Sequence, residues 1–94
     1  MQTPAIASSA QPRLTRGVRL QTDPKTGNSV LLFPEGVVEL NETAQEILNR
    51  CDGRTVNEII QALAEEYDVD PKMLAVDVEE TLADLKRRKL IELT

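Results

Sequence analysis

Residues 18 to 21 alternate apolar and polar, with Val18 and Leu20 set against Arg19 and Gln21, the period-two pattern of a half-buried strand. Asp23-Pro24-Lys25-Thr26-Gly27-Asn28 then supplies turn residues, and Ser29-Val30-Leu31-Leu32-Phe33 returns as a second arm that is apolar on both faces. Such a run suits a strand with cover on each side or crowding sheet neighbours, so it is expected at the centre of the sheet. Pro34-Glu35-Gly36 fits a tight turn into a third strand, Val37-Val38-Glu39-Leu40. No later strong strand is evident as its partner, which places this third strand at an edge.

The period changes after Leu40. Behind a capping Asn41, Ala44, Ile47, Leu48 and Cys51 fall at i, i+3, i+4 and i+7, one face of a helix that Asp52-Gly53 is expected to end. Thr55-Val56-Asn57-Glu58 is a capping-box signature, followed by the stripe Val56, Ile59, Ile60, Leu63 and Tyr67. Asp70-Pro71 opens a third helix with a cap and an N1 proline. Its stripe is Leu74, Val78, Thr81, Leu82 and Leu85, and it is expected to run to about Lys89 before a short Leu90 to Leu93 tail. The order predicts an α+β fold, a three-stranded antiparallel meander followed by three helices on one sheet face, winged helix-turn-helix-like. Residues 1–12, dominated by Gln, Thr, Pro, Ala and Ser, read as a flexible N-terminal arm, and 13–94 as the folded domain.

Composition narrows the chemistry. The 94 residues suffice for one small core, and its apolar residues are mostly Val, Leu, Ile and Ala, with Phe33 and Tyr67 the aromatics. The chain has no His, which removes the side chain most used for acid and base work near neutral pH. Its single Cys51 lies on the apolar stripe of the first helix and reads as a small core residue rather than a nucleophile. An enzyme is therefore not expected. The acids at Glu65 to Asp70 and at Asp77, Glu79, Glu80 and Asp84 lack the spacing and the glycine of a calcium loop, so no metal or other cofactor is expected. With no basic and apolar leader and no apolar span, a soluble cytoplasmic protein is expected, with no membrane partner.

A winged-helix DNA-binding regulator is the alternative that the element order leaves open. Charge argues against nucleic acid, because the net charge is −5 and Pro71 to Asp84 carries Lys72 against Asp77, Glu79, Glu80 and Asp84. The basic run Lys86-Arg87-Arg88-Lys89 sits where it complements a helix dipole. What remains is the edge strand Val37 to Leu40, which could accept an extended peptide as an added strand or could be an ordinary short edge.

Several segments taken together carry a resemblance: Pro12-Arg13-Leu14, Gly17-Val18-Arg19-Leu20, Val30-Leu31-Leu32-Phe33-Pro34-Glu35-Gly36, Leu40-Asn41-Glu42-Thr43-Ala44 and Cys51-Asp52-Gly53 followed by Thr55-Val56. From about Pro12 to Glu92 the chain resembles the PqqD family, the peptide chaperones of pyrroloquinoline quinone biosynthesis. The resemblance implies binding of the ribosomal precursor peptide and its presentation to a radical S-adenosylmethionine (SAM) enzyme that crosslinks a Glu and a Tyr of that peptide, with any cofactor in the partner. It also implies that the peptide pairs with the third strand and lies against the third helix. Carried onto this chain, the groove wall is Val37, Val38, Glu39 and Leu40. Its floor comes from Leu74 and Thr81 of the helix stripe and one flank of that stripe. At 100° per residue Met73, Asp77, Asp84 and Arg88 share one flank and Ala75, Glu79 and Lys86 the other, and the first is preferred for its adaptable methionine. An exposed edge and a mobile arm also leave room for a strand-swapped homodimer.

Overall fold

The computed structural model describes residues 6–94. The alternating segments form β2 (Arg19–Thr22), β3 (Ser29–Phe33) and β4 (Gly36–Glu39), an antiparallel sheet in the order β2-β3-β4 with β3 central, as its pattern predicts. The register pairs Leu20 with Leu31 and Leu31 with Val38, so these three side chains share the face turned to the core. Arg19, Leu32 and Val37 form the corresponding row on the opposite face. The apolar character of both faces of β3 thus corresponds to a buried inner row and a half-covered outer one.

Each helix starts where its local chemistry dictates. The side chain of Asn41 accepts from the Ala44 N–H at 2.8 Å ahead of α1 (Glu42–Leu48). Thr55 and Glu58 close a reciprocal capping box before α2 (Val56–Tyr67), at 3.1 and 2.8 Å. Asp70 caps Lys72 N–H at 2.9 Å ahead of Pro71, the first residue of α3 (Pro71–Arg87). The core is built from Leu31, the α1 pair Ile47 and Leu48, the α2 set Val56, Ile59, Ile60 and Leu63, and Val78, Leu82 and Leu85 of α3. An Arg50 guanidinium ties α1 to α2 by bonding both Glu46, at 2.8 Å, and Glu66.

Four boundaries and the burial of one residue differ from the sequence expectations. Helix α1 stops at Leu48, and Arg50 and Cys51 continue the curl through N–H bonds to the carbonyls of Ile47 and Leu48, the tighter i to i−3 spacing that closes many helices. Tyr67, expected on the buried stripe, is 46% exposed because it lines an open hollow between α1 and α3, and Ala64 is the buried residue of that turn. Helix α3 ends at Arg87, and Lys89 adopts φ 63° to turn the chain out of it. The Leu90 to Leu93 segment is not a loose tail: Ile91–Leu93 forms β5, antiparallel to β1 (Pro12–Leu14), with Leu14 opposite Ile91. The expected boundary between arm and domain after Pro12 therefore falls inside β1. Residues 6–12 of the expected arm lie on the domain, with Ile6 and Ala10 against the core and the carbonyls of Ala10 and Ser8 accepting from Val56 and Asn57 N–H. The rest of that arm, 1–5, lies outside the described residues.

Two outcomes test this packing. Ile91 is buried at the junction of β5 with α3, so Ile91→Ala is expected to cost about 2 to 4 kcal/mol in urea unfolding, whereas a frayed tail would give a change near zero. The Cys51 thiol donates to the Ile47 carbonyl at 3.3 Å, and burial, then the Asp52 charge, push its pKa up to about 11. It should therefore be alkylated by iodoacetamide at pH 8 at least about tenfold more slowly in the native protein than in the urea-unfolded chain, because the thiolate is the nucleophile. Equal rates, read by mass spectrometry, would show an activated thiol.

Candidate peptide-binding site

Phe33 stands opposite Gly36, which leaves Pro34 and Glu35 as a two-residue loop and sends β4 back along β3 with no partner on its other side among the described residues. The parity of the ladder follows from one bond: Leu40 N–H donates to the Ser29 carbonyl at 3.2 Å. Bonded and non-bonded pairs alternate in an antiparallel ladder, so Gly36, Val38 and Leu40 turn their backbone groups inward to β3. Val37 and Glu39 turn theirs outward to the free edge. Side chains follow the other alternation: Val38 packs against the core, while Val37 is 58% exposed on the outer face.

Helix α3 runs beside this edge in the opposite sense. Its end, Arg88 to Leu90, meets Phe33 to Glu35 at the β3–β4 loop, and its middle meets the other end of β4. Between them lies an open hollow of about 270 Å³ whose walls include Val38, Glu39 and Leu40 on one side and Glu80, Thr81 and Asp84 on the other. Asp84 also binds the guanidinium of Arg87 at 2.6 Å and that of Arg88 at 3.8 Å.

The structure thus brings Val38, Glu39, Leu40, Thr81 and Asp84 to one groove, and the helix flank that faces the strand is the one bearing Asp84 and Arg88. Val37 shares the edge through its backbone. Met73, 73% exposed, and Asp77, also exposed, lie on α3 outside this hollow, because the helix extends beyond the end of the strand. Leu74 lines a separate hollow with Tyr67 and Val69. The Tyr67 hydroxyl there titrates above its ordinary value, through desolvation and then the carboxylates of Glu46 and Glu66, so it keeps its proton at neutral pH. Sequence reasoning passed over Glu80, although it stands seven residues after Met73 and four before Asp84 and so belongs to the same flank. It also passed over Asn41 and Ala44, whose capping and core roles gave no hint of a groove.

The site offers backbone donors, carboxylates and aliphatic surface. Among the described residues no three His, Cys, Asp or Glu side chains gather as a metal site would require, and no helix is long and apolar enough to cross a membrane. This is the equipment of a binding edge.

Comparison with known proteins agrees. The model of the family described as Coenzyme PQQ synthesis protein D (PqqD) matches residues 28–91. The chain is 43% identical over 90 residues to the PqqA binding protein of Xanthomonas oryzae pv. oryzae (strain KACC10331 / KXO85), covering 95% of this chain and 98% of the relative. It is 40% identical over 89 residues to the Bifunctional coenzyme PQQ synthesis protein C/D of Methylorubrum extorquens, covering 94% of this chain but only 24% of that longer protein. Among solved structures, the PqqD truncation of Methylobacterium extorquens PqqCD, described as a stand-alone recognition element for ribosomally synthesized, modified peptides, superposes with a TM-score of 0.81 at 38% identity, covering 98% of this chain and 99% of that one. Lasso peptide synthetase B1 complexed with its leader peptide gives 0.76 at 28% identity, covering 88% and 99%. With a family model over most of its length, full-length relatives above 40% identity and the same α+β architecture, this chain belongs to the PqqD family.

Proposed function

We propose that this chain is a peptide chaperone of pyrroloquinoline quinone biosynthesis: it binds the precursor peptide PqqA by adding it as a strand to β4 and makes or breaks no bond itself. The observation that carries the reading is the outward-turned backbone of Val37 and Glu39 beside α3, in a chain whose full-length relatives are named for binding PqqA. Main-chain pairing supplies affinity with little demand on guest sequence, and the α3 side chains Glu80, Thr81 and Asp84 select among guests. The binding domain comprises residues 13–94 together with the docked segment 6–12. Holding one part of the peptide raises the effective concentration of the rest at the active site of a partner radical SAM enzyme, which carries the cofactors and forms the crosslink in the cytoplasm. A second copy of the chain would pair through the same β4 edge, so a homodimer of that kind and the peptide compete for it.

Proline substitution at adjacent positions tests strand addition, because only one of them faces the guest. Glu39→Pro removes an outward donor and should weaken binding of fluorescently labelled PqqA by at least about 1 kcal/mol, roughly fivefold in Kd, with the circular dichroism spectrum unchanged. Val38→Pro removes a donor that points into the ladder and should destabilise the domain itself. Wild-type affinity in a folded Glu39→Pro variant would rule out pairing at this edge.

A further inference from the structure

A second hollow lies farther along α3 than the groove beside β4. Arg88 and Lys89 sit against the β3–β4 loop, Thr81 and Asp84 against Val38 to Leu40, and Leu74 beside Glu42 and Thr43 of the first turn of α1. The two hollows lie on either side of the first turn of α1, since Asn41 and Ala44 line the first and Glu42 and Thr43 the second. A chain laid along β4 and continued past Leu40 along α3 would reach the hollow that holds Leu74 by passing that turn. From Thr81 to Leu74 is seven residues of helix, about 10 Å, or about three residues of extended chain.

The second hollow has a different character from the first. Leu63, Tyr67, Val69 and Leu74 give it apolar walls, and Tyr67 and Val69 are each nearly half exposed, more than a closed core requires. Its volume of about 260 Å³ falls under the roughly 300 Å³ at which small-molecule pockets begin, and suits one large side chain. Carboxylates border both hollows, Glu42 and Glu46 at the second and Glu39, Glu80 and Asp84 at the first, of which Glu46 is paired with Arg50 and Asp84 with Arg87 and Arg88. The borders of the two hollows thus stay acidic at Glu39, Glu42 and Glu80, and they favour a guest that brings an apolar side chain without acidic neighbours.

We propose that the hollow formed by Leu63, Tyr67, Val69 and Leu74 is a second subsite of the peptide groove, occupied by one large apolar side chain of the precursor peptide, about three residues beyond the part paired with β4. The inference rests on the strand-addition reading and extends it. The paired backbone gives affinity to any extended chain, whereas an anchor at a fixed spacing gives register: it decides which residues lie on β4 and which project onward to the partner enzyme.

The test is a set of double-mutant cycles between this chain and synthetic PqqA, read by fluorescence anisotropy, with folding of each variant checked by circular dichroism. Val69→Glu, at an exposed lining position, and Leu74→Ala, which empties the wall, should each weaken PqqA binding about tenfold. Each large apolar residue of PqqA is then replaced by Ala in turn. One replacement should weaken binding to the native chain by a similar factor and cause little further loss with Leu74→Ala, which identifies the anchor. If Glu39→Pro weakens binding while folded Val69→Glu and Leu74→Ala bind every peptide as the native chain does, the subsite is wrong and strand addition stands. If Glu39→Pro has no effect, strand addition fails, and the subsite as an extension of that groove fails with it.

Discussion

The burial of one helix stripe governs the rest of the molecule. Val78 and Leu82 are fully buried and Leu85 nearly so, and together they hold α3 against α1, α2 and β5. Because that stripe is committed to the core, the residues one position round the helix, Glu80, Asp84 and Arg88, are left facing the sheet edge. The separation of α3 from β4, and so the width of the groove, is set by this packing and not by any contact across the groove itself. A close-packed core yields little to such a helix, which makes the groove a preformed feature.

Local chemistry and long-range pairing were not equally legible in the sequence. Caps act within three residues, so Asn41, Thr55 with Glu58, and Asp70 with Pro71 announce their helices directly, and the period-two and period-3.6 patterns identify the meander and its buried faces. The β1–β5 pair was missed because each strand is three residues long and its partner lies at the other end of the chain, where no periodicity can link Pro12 to Leu93. Docking of Ile6 and Ala10 was hidden for a related reason: a polar, small-residue segment carries little apolar signal even when two of its side chains reach the core. At the groove, the helical projection groups Met73 and Asp77 with Asp84 and Arg88 but cannot say which flank faces the strand, and it has no measure of length: Asp84 and Arg88 line the hollow beside β4, whereas Met73, the ground for preferring that flank, lies beyond it. Which backbone groups of β4 face outward depends on the parity of a single hydrogen bond, and no residue type encodes that.

A recognition surface made largely of main chain, as proposed for β4, would also suit an architecture shared with a lasso peptide synthetase. The edge depends on register and on the position of α3, and both survive extensive side-chain replacement provided the core volume and pattern are kept. The lasso peptide synthetase B1 structure, complexed with its leader peptide, retains this fold at 28% identity. Side-chain hollows along the groove are the part that can change freely from one family to the next, and with them the guest.

The pairing of β1 with β5 has a consequence for how such a domain can be combined with others. Gln11 and Thr94 exchange backbone hydrogen bonds at 3.0 and 3.1 Å, which sets residue 94 beside the segment that docks Ile6 and Ala10 on the core. None of the residues that line the hollow beside β4 belongs to β1 or β5. A site borne on other elements leaves the groove independent of what is joined at the β1–β5 pair. The bifunctional relative in Methylorubrum extorquens, of which this chain matches only about a quarter, is the arrangement that such modularity permits.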